Sequence, residues 1–260
     1  MKIIKVALIW LSVACAALTS CKQDDTLRYN NITMGDIKNG TFISDQGNIF
    51  NVVEKTCEGN LEDMKRAFVA CDVLRLKPGT ENEYDIRLNA IANVLVKDAI
   101  SRQAADENEN YAVSDPIHIN DLWIAGGYIN MQIVFDMVSG SSTKHLVNLV
   151  IDEKSDEDGK YVFTLRHNSY GDSMIYDTNN EKETVLGLAY VSFPLTGIID
   201  RDNAEITFNW TWYKSVGYGI SSETQEYRHS IAYTKGGYEQ TPAKLSSKAT
   251  ENLNETNLIV

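Results

Sequence analysis

Apolar and polar residues alternate through most of this chain, and helical periodicity is scarce. In Tyr84–Val96 (YDIRLNAIANVLV), Ile86, Leu88, Ala90, Ala92 and Val94 share one face, while Asp85, Arg87, Asn89 and Asn93 share the other. A period of two marks a strand buried on one side. Thr41–Ile43 and Ile49–Val53 flank a turn at Ser44-Asp45-Gln46-Gly47, and Arg66–Leu76 reads as a further strand ahead of a Pro78-Gly79 turn. A short helical turn is expected within Leu61–Arg66. Four or five curved strands with so little helix predict a small barrel over residues 29–100.

Residues 101–117 are polar and acidic, with few large aliphatic side chains, and are expected to link two domains. Alternation then resumes. Tyr128–Val138 (YINMQIVFDMV) puts Ile129, Met131, Ile133, Phe135 and Met137 on one side and Asn130, Gln132 and Asp136 on the other. His145–Asp152 and Tyr161–His167 read as a hairpin around an acidic loop, and Val185–Leu195, Ala204–Tyr213 and Tyr227–Thr234 as three more strands. The chain is expected to be all-β, with an antiparallel sandwich over residues 118–238. Residues 239–260, rich in Ser, Thr, Asn and Lys, are expected to form a disordered tail.

The first twenty residues break the pattern. A basic start, Met1-Lys2-Ile3-Ile4-Lys5, precedes an apolar run of 13 residues from Val6 to Leu18. A membrane-spanning helix needs about 20 apolar residues, so this run reads as a signal-peptide core. Leu18-Thr19-Ser20-Cys21 resembles a bacterial lipobox, which makes residues 1–20 a cleaved leader and Cys21 the lipidated first residue of the mature chain. The expected membrane contact is therefore the lipid on Cys21, with residues 21–28 as a tether. Lys22-Gln23-Asp24-Asp25 resembles the charged tether that sends Bacteroidota lipoproteins to the cell surface. The expected location is the outer membrane, cell-surface exposed, with a periplasm-facing anchor as the alternative.

Removing Lys2 and Lys5 with the leader leaves 22 basic against 36 acidic residues, a net charge of −14. That acidity argues against nucleic acid as a partner. Of four cysteines, Cys15 lies in the leader and Cys21 takes the lipid, which leaves Cys57 and Cys71 as a candidate disulfide or two separate buried thiols.

The stretches "YINMQIVFDMV", "HLVNLVID" and "YVFTLRHNSYGD", behind a lipobox and a small barrel, resemble the NigD-like lipoproteins of Bacteroidota. The resemblance is strongest at Trp123–Met131 (WIAGGYINM) and Leu165–Asp172 (LRHNSYGD). It implies an OB-like barrel followed by an immunoglobulin-like β-sandwich, and it implies little chemistry.

Candidate sites are few. Trp210 and Trp212 are a sugar-stacking platform or, since they share a face with Ile206 and Phe208, part of the sandwich core. Arg166, His167 and Asp172 bring together acid–base residue types, but strand alternation points Arg166 and His167 to opposite faces, which favours a structural network. The four histidines lack metal-ligand spacing, so no metal, cofactor or catalytic residue is expected. The sequence thus predicts a non-catalytic module that binds or assembles with an envelope or secreted protein. A glycan-binding surface is the alternative, and a hydrolytic enzyme a distant third.

Overall fold

A computed structural model describes residues 29–155, 158–176, 182–216, 219–236 and 258–259. Cys21 and the tether that follows it lie outside the described residues, as do residues 237–257 of the tail. No helix among the described residues is long and apolar enough to cross a membrane.

The first five strands are β1 (Tyr29–Lys38), β2 (Thr41–Ser44), β3 (Ile49–Lys55), β4 (Arg66–Leu76) and β5 (Glu83–Val96). They pair in the order β3-β2-β1-β4-β5, and β3 also pairs with β5, which closes the ring into a barrel. The closing pair is parallel, from Ile49 opposite Glu83 to Lys55 opposite Leu88. Register shifts at Ala70/Cys71 and Val73/Arg75 bend β4 against β5, as bulges do where a sheet must curl. The interior is filled by Phe42, Phe50, Val69, Val73, Ile86 and Leu88. A 3-10 turn at Leu61–Asp63, capped by the Asn60 side chain, adds Leu61 to that core.

The segment after the barrel is packed rather than loose. It pairs briefly as β6 (Ile100–Ser101) beside β9 and forms one helix, α1 (Arg102–Asp106), whose first turn is capped by the Ser101 hydroxyl accepting from the Ala104 amide. Farther on, Asp115, Pro116 and Ile117 are buried against the following domain.

That domain contains β7 (His118–Ala125), β8 (Tyr128–Val138), β9 (His145–Ser155), β10 (Lys160–Asn168), β11 (Thr184–Pro194), β12 (Asn203–Val216) and β13 (Gly219–Thr234). Strands β11-β8-β7 form one layer and β13-β12-β10-β9 the other. Ile129, Met131, Ile133 and Phe135 from the first share a core with Phe163, Leu165, Phe208 and Trp210 from the second. The sandwich expected from the sequence is present, with β7–β8, β8–β11, β9–β10 and β12–β13 antiparallel, while β10 and β12 run parallel. A long excursion through β11, in the opposite layer, separates β10 from β12 and brings the chain back in the same direction. At the far end, β14 (Leu258–Ile259) pairs parallel with β9 at His145 and Leu146, so these two residues depart from the disordered tail expected over 239–260.

Barrel and sandwich also share a sheet. β11 pairs with β5 over Tyr190–Val94, Val191–Leu95 and Ser192–Val96, giving one eight-stranded sheet that runs from barrel to sandwich. A separate cluster, with Met34, Phe68, Val94, Trp123 and Tyr190, fills the junction, where the Phe68 and Tyr190 rings stack at 4.4 Å.

Candidate functional site

The structure concentrates its buried polar chemistry in two places, and both fall on the stretches that carry the family resemblance. The first lies at the end of β10. Arg166 and His167 occupy opposite faces there, as strand alternation requires. Arg166 reaches outward and grips the preceding segment, with both terminal nitrogens 3.0 Å from Asp106 Oδ1 and Nη1 3.3 Å from the Tyr111 carbonyl. Asn168 does the same through Nδ2, 3.1 Å from the Asn110 carbonyl.

His167 points inward to a chain of hydrogen bonds. Its Nδ1 lies 2.9 Å from the Pro116 carbonyl, and its Nε2 lies 2.9 Å from His145 Nδ1. His145 Nε2 is 3.2 Å from Asp172 Oδ2. A carbonyl only accepts, so the His167 proton is on Nδ1 and its Nε2 accepts from His145. Burial, with His145 alongside, pushes the His167 pKa from 6.5 down to about 4. Burial also drives Asp172 upward, but the Ser141 hydroxyl, the Val138 amide and His145 outweigh it and hold the carboxyl below its ordinary value. His145 and His167 are 0% and 1% exposed, so no substrate reaches either ring. The trio is a lock rather than an acid–base centre.

That lock has a pH signature. His167 is neutral in the folded chain down to about 4 and takes a proton near 6.5 once unfolded. Between those values the unfolded chain binds more protons, so stability is present above 6.5 and is lost as pH falls toward 4. The expected loss is about 3 kcal/mol, at ~1.4 kcal/mol per unit. Urea unfolding at pH 7, 5.5 and 4.5 measures it; a flat profile would mean that His167 is not buried and neutral.

After the lock the chain turns through residues 169–176, held by two further buried carboxylates. Asp115 Oδ2 accepts from the Ser169 amide at 2.8 Å and the Ser169 hydroxyl at 2.6 Å, while Oδ1 accepts from the Tyr176 hydroxyl at 2.6 Å. Asp136 Oδ1 accepts from the Tyr213 hydroxyl at 2.9 Å and the Ser173 hydroxyl at 3.2 Å, and Oδ2 from the Met174 amide. The hydrogen bond to Asp115, with some burial, pushes the Tyr176 phenol up to about 12, so it stays a donor. On this frame two aromatic rings face solvent, Tyr170 at 47% and Tyr176 at 51% exposed. Tyr170 sits at φ +55°, a left-handed conformation uncommon for any residue but glycine, steadied by its amide donating to Asn168 Oδ1 at 2.9 Å.

The second place is the barrel–sandwich junction. Arg66, at the start of β4, is 1% exposed and paired with Asp36 at 2.8 Å and Asp45 at 2.6 Å. It also donates to Ser192 Oγ and Asn130 Oδ1, each at 3.0 Å, and stacks on the Tyr128 ring at 4.1 Å. Gly126 makes room for this arrangement: its φ is +62°, and a Cβ there would stand 2.2 Å from Asp45 Oδ1. The Gly-Gly-Tyr-Ile-Asn stretch is thus a seat for Arg66.

The remaining candidates separate. Trp210 and Trp212 lie in the sandwich core at 8% and 7% exposed, against His118 and Tyr227, so they form no open platform. Cys57 and Cys71 are free thiols instead of a disulfide. Cys71 faces the barrel core, where burial pushes its thiol up to about 12, and Cys57 packs at the edge of the same cluster. Among the described residues no group of three His, Cys, Asp or Glu side chains is arranged to hold a metal ion. His145, Asp115, Asp136 and Arg66 belong to these two places without any local sequence pattern that singles them out. Once the β9–β10 register is drawn, with Val147 opposite His167, the pattern makes His145 a diagonal same-face neighbour of His167.

Residues 100–222 match the family model of the NigD-like C-terminal β-sandwich domain. No curated protein matches the chain. Crystal structures of other proteins share the fold, among them three from Bacteroides. A protein of unknown function from Bacteroides vulgatus is 21% identical, with 87% of this chain and 100% of that one covered and a TM-score of 0.57. A NigD-like immunity protein from Bacteroides caccae is 19% identical, covering 83% and 97%, with a TM-score of 0.51. A candidate lipoprotein from Bacteroides fragilis is 15% identical, covering 79% and 99%, with a TM-score of 0.54.

Proposed function

Because the chain is a member of the NigD-like family, we propose that it is a non-catalytic binding module, lipid-anchored through Cys21 to the outer membrane, that engages an envelope or secreted protein. The observation that carries this reading is the 169–176 loop. Two half-exposed tyrosines stand on a backbone pinned by three buried carboxylates, Asp115, Asp136 and Asp172. Exposed aromatic side chains on a rigid frame are the usual anchors of protein interfaces, since little entropy is lost when they dock. The closed five-strand ring, β1-β2-β3-β5-β4, is read as an OB-type barrel, here a support for the sandwich through Arg66. The candidate lipoprotein among the fold relatives is in keeping with a lipid anchor.

Replacing Tyr170 with Asn tests the loop. Asn tolerates the left-handed conformation, so thermal stability stays within about 0.5 kcal/mol of the parent. Loss of an interface anchor costs at least about 2 kcal/mol, roughly thirtyfold in affinity. The readout is co-purification of the partner with tagged chain from the envelope fraction. Undiminished recovery with Tyr170→Asn would remove the loop from the interface. Protease treatment of intact and lysed cells tests the location: digestion on intact cells is expected, and protection until lysis would turn the anchor toward the periplasm.

A further inference from the structure

The barrel carries a cleft of about 310 Å³ that the loop reading does not use. Phe50 and Leu88, both buried, provide its apolar floor, and Thr41, Asn51, Lys55 and Glu62 line it with polar groups. Its volume is near the lower end of small-molecule sites, the size of one or two small rings.

Two features give the cleft a chemical preference. Asn51 Nδ2 is shielded from water yet finds no hydrogen-bond partner among the described residues. A buried amide without an acceptor is costly, and a ligand oxygen placed against it removes that cost. The charges lining the cleft cancel, since Lys55 stands with Glu62, and Lys55 Nζ already donates to the Gly59 carbonyl. No surplus positive charge is left to hold a phosphate or carboxylate, and the chain as a whole is at −12.

We propose that this cleft binds a neutral sugar residue of a glycan. The apolar floor takes the C–H face of the ring, the Asn51 amide donates to a ring or acetamido oxygen, and the Glu62 carboxylate and Thr41 hydroxyl receive the sugar hydroxyls. Neither the lipid anchor nor the tyrosine loop is needed for this site, so it stands or falls separately from the protein-binding reading.

The test uses the full chain in detergent and saturation-transfer NMR against four neutral probes: the tetrasaccharides of β-1,4-linked N-acetylglucosamine, β-1,4-linked glucose, α-1,4-linked glucose and α-1,6-linked mannose. Transfer to at least one probe is expected. Asn51→Leu weakens it about tenfold, the loss of one hydrogen bond, while its thermal midpoint is no lower than the parent's because the orphaned donor is gone. Thr41→Val serves as a second variant and weakens the same probe. No transfer to any probe at millimolar concentration overturns the proposal. So does binding that both variants leave intact, or binding of an extended peptide in place of every sugar.

Discussion

Arg66→Met destabilises the chain by about 3–5 kcal/mol, the largest single-residue effect expected outside the apolar cores. Methionine matches the length of the arginine stem but leaves Asp45 buried with no cation and takes a donor from Ser192 and Asn130. Burial already pushes the Asp45 carboxyl up, and the Arg66 guanidinium is what holds that rise in check. Without it the carboxyl protonates more readily in the folded chain than in the unfolded one. The penalty therefore shrinks as pH falls from 7 toward 5, opposite to the acid loss produced by His167. Urea unfolding of parent and variant at the two pH values gives both numbers. A difference below about 1 kcal/mol at pH 7 would mean that the junction is held by the Phe68–Tyr190 cluster alone.

Asp115→Ala is expected to cost about 3 kcal/mol and to release the tyrosine loop. The variant leaves the Ser169 amide and hydroxyl buried without an acceptor and frees the Tyr176 hydroxyl. Hydrogen exchange distinguishes this from general loosening: amides of residues 169–176 lose protection, while those of β8 and β12 keep theirs. Equal loss everywhere would make Asp115 a core residue with no special hold on the loop.

These two sites show what the sequence discloses and what it hides. β4 and β8 run between the residues that alternation marks, Arg66–Leu76 and Tyr128–Val138, because a local period of two suffices to define a strand. The faces are another matter. Asn130, Gln132 and Asp136 look solvent-directed by pattern, yet all three are buried, since Arg66, Tyr190 and the 169–176 loop cover them. Likewise Asp106 and Asp115 belong to a stretch whose polarity reads as a domain linker, and each is the partner of a residue more than fifty positions away. Ring closure through β3–β5 and the three-residue seam between β5 and β11 are parallel, non-local pairings that no local pattern announces. The exposed tyrosines carry no signal in the chain at all, because exposure is set by the neighbours.

The most direct test of the account places a photo-crosslinking amino acid at position 170 of the chain expressed in cells, with position 53 as an exposed control far from the loop in sequence. A light-dependent adduct with one envelope or secreted protein is expected at 170, none at 53, with loss of the 170 adduct when Asp115→Ala is added. No adduct at 170, or the same adduct from position 53, would contradict a binding site built on the 169–176 loop.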